Sequence, residues 1–179
     1  MRECWRLTVL GVLMMGSVLT PPARASETTE TYTNRYFLYS ADRPSDWRVR
    51  EISKVALLIS PLVSKDDKFA ENVNIVAEDL SKIAENVTLV DYYRKSVGNA
   101  SKTLNDFKLL EEAQTQWIGR DAVAVIYTAT LKGEKFKFKA YTVMVDKTAY
   151  VLTFTAAAAD FDEYLPVAER IMRSLRVSP

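Results

Sequence analysis

The pattern of apolar and polar residues along the chain predicts a sheet built from consecutive strands. Residues 71–79 alternate aliphatic with polar side chains, which is typical of a half-buried strand. Residues 136–145 alternate phenylalanine and alanine with lysine in the same way. Similar patterns predict further strands at residues 35–42, 47–51, 54–60, 106–119, 120–131 and from residue 149 onward. The short connections between the later strands predict antiparallel neighbours, because parallel neighbours need a long crossover.

A first helix is predicted over residues 88–104, where apolar side chains recur on one helix face. Thr88 and Asp91 have the spacing of a capping box, in which each side chain satisfies a backbone donor of the other residue. Gly98 lies inside this segment and costs about 1 kcal/mol relative to alanine in a helix. The alternative is a helix that ends early, at Gly98.

A second helix is predicted over residues 161–175, which carry an apolar stripe directly after the last strand. Asp160 and Glu163 have capping-box spacing at its start, and arginines near its end favour the negative end of the helix dipole. We interpret these acidic residues as helix-capping groups rather than as metal ligands.

The N-terminal segment predicts export. Residues 7–20 form an apolar run that follows Arg2 and Arg6 and ends before Ala23-Arg24-Ala25, a small-x-small cleavage pattern. The run is shorter than the roughly 20 residues that a membrane span needs. We therefore predict a signal peptide over 1–25, a flexible polar leader over 26–34 and one domain over 35–179. A retained membrane anchor is the alternative.

The composition excludes several kinds of catalytic and metal site. The chain has no histidine, and its one cysteine, Cys4, lies in the predicted signal peptide. Ser-His-Asp and Cys-His catalysis therefore cannot operate, and zinc, haem and copper sites lose their usual ligands. Gly98, Gly119 and Gly133 are too dispersed for a phosphate-binding loop. We predict no cofactor; a small carboxylate-dependent enzyme remains an alternative, because glycosidases need only two acids.

The charge balance argues against nucleic acid as a partner. The full chain has a formal net charge of +1, and loss of residues 1–25 changes it to −1. Such a near-neutral chain has no global electrostatic attraction to a polyanion.

The order of three motifs resembles that of the PsbP-like family. "YFLYSADRPSDW" (36–47) resembles the aromatic opening segment of these domains, and "ENVNIV" (71–76) resembles their strand after a charged loop. "AYVLTFTAAAADFDEYLPVAERIMRSL" (149–175) resembles their closing strand and helix. The resemblance implies an α+β fold, an α-β-α sandwich with a central antiparallel sheet.

The same resemblance implies a protein that binds partners and is not an enzyme. We expect an exported protein, periplasmic or secreted, that docks on a protein partner in the envelope or at a membrane surface. The alternative within the family is an extrinsic photosystem II subunit of the PsbP type. Metal sites built on histidine in some members cannot be carried over, because this chain has no histidine.

Two charged segments are candidate partner-contact surfaces. Lys135, Lys137 and Lys139 alternate with aromatic residues, a pattern that favours a strand with a solvated lysine face that protects an exposed sheet edge. Asp66 and Asp67 lie in a charged loop that we interpret as solvated. With Glu71 these acids could instead bind calcium, which takes oxygen ligands, but the EF-hand spacing is missing.

Overall fold

The computed structural model describes residues 28–53, 55–62, 69–81 and 86–178. The predicted signal peptide, with its cleavage site near Ala25, lies outside these residues. The described residues form the following elements in chain order: β1 (Thr29–Asn34), β2 (Tyr39–Pro44), β3 (Arg48–Ile52), β4 (Val55–Ile59), β5 (Asn72–Asp79), α1 (Leu89–Thr103), β6 (Asn105–Trp117), β7 (Arg120–Leu131), β8 (Glu134–Val145), β9 (Thr148–Ala157), α2 (Phe161–Arg173) and β10 (Arg176–Val177).

The strands form two antiparallel sheets. Seven strands pair in the order β3-β4-β5-β9-β8-β7-β6, and β2 lies between β1 and β10 in a smaller sheet. Consecutive strands from β6 to β9 are neighbours, which confirms the predicted antiparallel meander. The chain therefore has an α+β fold, with mostly antiparallel sheet and two helices.

The two helices pack on side chains that alternate along β8. Ala140 packs in a cluster with Tyr93 of α1, whereas the next residue, Tyr141, belongs to the main core with Ile171 of α2. Because successive side chains of a strand point to opposite faces, the helices contact different faces of the seven-stranded sheet. Neither helix is long and apolar enough to cross a membrane, and the described residues contain no other helix.

The first helix follows the sequence prediction closely. The Thr88 hydroxyl accepts a hydrogen bond from the Asp91 amide, and the Asp91 carboxylate accepts one from the Thr88 amide, which confirms the capping box. The helix continues through Gly98 to Thr103, so it does not end early.

The predicted flexible leader was wrong for residues 29–34. This segment forms β1 and pairs along its whole length with β2, from Thr29↔Pro44 to Asn34↔Tyr39. Only Tyr32 of the strand is buried. The segment lacks an apolar alternation because its order comes from pairing with β2 and from a single buried aromatic ring.

The strand predicted over residues 35–42 was wrong in its first half. Residues 35–38 form a turn, and β2 begins only at Tyr39. The side-chain oxygen of Asn34 accepts hydrogen bonds from the Tyr36 and Phe37 amides, and Leu38 has a φ of +53°. This local hydrogen bonding outweighs the strand preference of the aromatic residues.

The predicted Asp160 cap was also wrong. Asp160 precedes α2 but makes no side-chain capping hydrogen bond. Its amide donates to Ala157, which closes a turn and gives Asp160 a helical backbone conformation with a φ of −100° and a ψ of −7°. A capping side chain normally requires the extended conformation. Asp162 and Glu163 in the first turn still complement the helix dipole.

Candidate functional site

The three predicted lysines do not form one solvated surface. Strand β8 lies between β9 and β7, so the expectation that its lysines protect an exposed edge was wrong. The Lys139 ammonium lies 2.6 Å from the Glu169 carboxylate of α2, and Lys137 lies 3.3 Å from Asp162. These two side chains attach α2 to the sheet. Lys135 is exposed at the start of the strand, and its contact with a partner stays a prediction.

The predicted acidic loop can be assessed only at one end. Asp66 and Asp67 lie outside the described residues. Glu71 is buried, and its carboxylate accepts a hydrogen bond of 3.4 Å from the Ser60 hydroxyl. Among the described residues, no group of three or more acidic or sulfur side chains is arranged to hold a metal ion.

Two of the most exposed large apolar residues lie on the β1–β2 turn, which sequence reasoning had assigned to a strand. We call residues 35–38 the hairpin tip. The Tyr36 side chain is 82% exposed and Leu38 is 51% exposed. Exposed apolar residues that cluster on a soluble domain mark interaction sites more often than single ones do.

The backbone of the hairpin tip is held in place on both sides. Besides the two amides bound by Asn34, the Tyr150 hydroxyl donates to the Phe37 carbonyl at 3.0 Å. The Ser178 amide donates to the Leu38 carbonyl at 2.7 Å. The tip therefore presents Tyr36 and Leu38 from a fixed backbone, which lowers the entropy cost of binding.

A cavity of about 350 Å³ separates the hairpin tip from the turn that follows β3. Its lining combines polar and aromatic side chains from both elements: Asn34, Arg35, Tyr36, Phe37, Glu51 and Ser53. Ile52, between the last two of these residues, is 47% exposed. The cavity therefore lies between the end of β1 with the hairpin tip on one side and the end of β3 with its following turn on the other.

A hydrogen-bonded pair connects the two sides of this cavity. The Tyr32 hydroxyl donates to the Glu51 carboxylate at 2.5 Å and accepts from the Asn34 amide group at 3.1 Å. Burial and the Glu51 carboxylate raise the pKa of Tyr32, and burial also raises the pKa of the adjacent Tyr39. Both phenols are therefore neutral at physiological pH, and the Tyr32 hydroxyl acts as a hydrogen-bonding group rather than as a nucleophile.

Among the described residues that line the cavity, Glu51 is the one acid. Glycoside hydrolysis requires two carboxyl groups that face each other, and these lining residues supply one. The arrangement is suited to binding, with an aromatic wall, a guanidinium from Arg35 and hydrogen-bonding groups from Asn34 and Ser53.

Edge strand β3 extends away from this cavity. All five of its residues are exposed, and Arg48 and Arg50 lie at alternate positions, hence on one face. Sequence reasoning found the strand but not its position at the edge, because strand order depends on long-range pairing.

No protein-family model and no curated protein matches the chain by sequence. Solved structures do match it. The solution structure of cyanobacterial PsbP (CyanoP) from Synechocystis has a TM-score of 0.62 at 16% identity, over 87% of this chain and 95% of that chain. A protein of unknown function from Pseudomonas aeruginosa, PA94, has a TM-score of 0.61 at 18% identity, over 84% of this chain and 98% of that chain.

A third similar structure comes from Mycobacterium tuberculosis. LpqN, which is involved in cell envelope biogenesis, has a TM-score of 0.56 at 13% identity, over 85% of each chain. At identities this low the comparisons establish the fold rather than an activity. The chain therefore has the fold of PsbP-like proteins.

Proposed function

We propose that this chain is an exported, non-catalytic PsbP-like protein that binds a protein partner at a membrane or envelope surface. The observation that carries the proposal is the exposed Tyr36 side chain in the cavity wall, with the exposed Leu38 and Ile52 close in the chain to other lining residues. Exposed apolar side chains of this kind are typical of the centre of a protein interface, and Arg35 and Glu51 supply polar groups in the same lining.

The similar folds support this reading. CyanoP is named as a PsbP protein, and LpqN is described as involved in cell envelope biogenesis. The α-β-α sandwich of the PsbP-like family is part of the proposal. It is supported by the alternation of Ala140 and Tyr141, which contact the clusters of α1 and α2 respectively.

Export is the second part of the proposal. Residues 1–25 have the composition of a signal peptide, and cleavage after Ala25 would release a periplasmic or secreted chain. Mass spectrometry of the N-terminus of the purified native protein tests it. An N-terminus at Ser26 is expected, whereas an intact apolar segment would indicate a retained anchor.

Partner binding is tested by crosslinking in the host. The chain, expressed with residues 1–25 and purified after export, is crosslinked in envelope extracts of its own host. We expect one dominant partner, with crosslinks that map to the hairpin tip. The double variant Tyr36→Ser/Leu38→Ser should lose this partner.

The matched control is Leu109→Ser/Leu110→Ser. These leucines are 36% and 44% exposed, but they lie on β6 at the other edge of the sheet. The control variant should retain the partner. Loss of the partner in both variants, or in neither, would contradict the proposed surface.

A photosystem II role is the second candidate, because the fold is similar to that of CyanoP. It predicts that the native protein co-purifies with thylakoid membranes of a photosynthetic host. Its absence from such membranes would remove this candidate and leave the general docking role intact.

A further inference from the structure

The two edges of the seven-stranded sheet differ in regularity. Strand β6 has register shifts between Asn105 and Lys108 and again between Leu109 and Glu111, and such bulges hinder the addition of another strand. Strand β3 pairs with β4 without interruption, from Arg48↔Ile59 to Ile52↔Val55. In the described part of the chain, no backbone hydrogen bond is made on the outer side of β3. Strand β3 therefore has the geometry that accepts a further strand.

The side chains of β3 specify the charge of such a strand. Arg48 and Arg50 are exposed on one face and lie opposite the aliphatic Ile59 and Leu57 of β4. Neither guanidinium forms an ion pair with any described residue. On the other face, Val49 is 36% exposed. An added strand with carboxylates at alternate positions would give both arginines directly opposite partners.

A second copy of this chain fits the edge poorly. Antiparallel self-pairing centred on Val49 would place Arg48 opposite Arg50, and pairing centred on Arg50 would place that residue opposite itself. Like charges directly opposite each other destabilise a sheet. The free edge therefore favours an acidic strand from another molecule.

We propose that the partner adds an extended acidic segment to the β3 edge, with carboxylates facing Arg48 and Arg50 and an aliphatic side chain between them facing Val49. This inference rests on the proposed function, since it names the chemistry of the partner. Main-chain hydrogen bonds supply affinity in such strand addition, and alternate side chains supply specificity. The strand ends at Ile52, between the cavity-lining residues Glu51 and Ser53, so the same segment can continue toward the cavity next to Tyr36.

The test uses synthetic peptides on the chain expressed with residues 1–25 and purified after export. The probe is a blocked seven-residue peptide that alternates glutamate with valine, and the comparison peptide replaces each glutamate with lysine. Backbone NMR is recorded during titration, together with amide hydrogen exchange. We expect the glutamate peptide to shift and protect amides of Arg48–Ile52, with a weaker effect at high salt. The lysine peptide should leave β3 unchanged.

Charge-removing variants identify the residues responsible. Arg48→Gln/Arg50→Gln should weaken binding of the glutamate peptide about tenfold, since each cross-strand charge pair contributes a few-fold. Arg94→Gln/Lys95→Gln removes the same charge from exposed positions on α1 and should have no effect. Equal binding of both peptides, shifts located elsewhere, no binding at saturating concentration, or no effect of the β3 variant would each overturn the inference.

Two further measurements separate this inference from the proposed function. If the partner is captured through the hairpin tip but Arg48→Gln/Arg50→Gln captures it equally well, only the strand addition is wrong. If the chain binds vesicles containing anionic lipid through these arginines and does not bind the glutamate peptide, a membrane surface replaces the acidic segment and the inference also fails.

Discussion

The Tyr32 hydroxyl donates a 2.5 Å hydrogen bond to the Glu51 carboxylate and so connects β1 to the edge strand β3. The two residues belong to different sheets, and Glu51 also lines the cavity between the hairpin tip and the turn after β3. The surface that we propose for partner binding therefore depends on a contact between two separate sheets.

Removal of this hydroxyl should loosen the connection without disturbing the core. Tyr32→Phe keeps the edge-to-face contact with Tyr39, whose ring centre lies 6.0 Å away, and loses the hydrogen bonds that its hydroxyl forms with Glu51 and Asn34. We expect the free energy of unfolding in urea to fall by about 1 kcal/mol. The loss is no larger because the exposed Glu51 carboxylate can form a hydrogen bond with water in place of the lost one. Tyr36→Phe is the matched control, because that side chain is 82% exposed. An equal loss in both variants would show that the bond contributes nothing specific.

The Asp42–Arg176 pair should make stability fall in acid. Two hydrogen bonds of 2.6 and 2.9 Å join the carboxylate of β2 to the guanidinium of β10. The Arg176 hydrogen bond lowers the pKa of Asp42 from 3.8 to about 2. A carboxyl whose pKa is lower in the folded state contributes stability above the unfolded pKa, and this contribution is lost as the pH falls from about 4 to 2.

Asp42→Asn should therefore lower the free energy of unfolding at neutral pH by about 0.5 to 1 kcal/mol. The loss is modest because Arg176 is half exposed. The free energy of unfolding of this variant should also decline less steeply in acid. Urea unfolding between pH 2 and 7 measures both effects. Arg176→Lys keeps the positive charge but loses the bidentate hydrogen bonding to the carboxylate. Its free energy of unfolding should lie between that of the unmodified protein and that of Asp42→Asn. An acid profile identical to that of the unmodified protein would refute this assignment.

Tyr127 should make stability fall in alkali. Its ring stacks on Phe138 with centres 4.6 Å apart, and burial raises its pKa from 10.0 to about 12. A raised pKa contributes stability below the unfolded value that is lost as the pH rises from 10 to 12. The slope is at most about 1.4 kcal/mol per pH unit for one group.

Tyr127→Phe should reduce that alkaline slope while keeping the stacked ring. Tyr92, whose pKa burial and Glu78 raise to about 12, contributes separately, so a smaller slope remains. Guanidinium unfolding at pH 9 to 12 is the measurement, with Tyr36→Phe as control. An unchanged slope in Tyr127→Phe would mean that this phenol ionises equally in both states.

The lysines of β8 should divide into structural and surface residues. Lys139→Gln breaks a half-buried ion pair with Glu169 and should lower the free energy of unfolding by about 1 kcal/mol, because Glu169 keeps hydrogen bonds from Tyr141 and Arg173. Lys135→Gln should leave stability unchanged. If Lys135 contacts the partner, the same variant should weaken capture in the crosslinking experiment. Equal stability of the two variants would contradict the structural role of Lys139.

Much of the fold could be predicted from local patterns. The alternation in residues 71–79 and 120–131 and the Thr88–Asp91 cap correspond to β5, β7 and the start of α1. These elements are encoded in neighbouring residues, through side-chain periodicity and local hydrogen bonds. The candidate surface was predictable only in part, since the exposed Tyr36 and Leu38 look locally like members of a strand.

The sequence by itself determined the α+β class, the antiparallel meander and the exclusion of histidine chemistry, because these follow from local periodicity, connection length and composition. Only the tertiary structure decided that Lys137 and Lys139 lie under α2, that β3 is an edge, and that the hairpin tip lies across a cavity from Glu51. Each of these depends on contacts between residues distant in the chain. Such contacts are stabilised by burial and strand pairing, which require residues from distant parts of the chain and are therefore not encoded in any short segment.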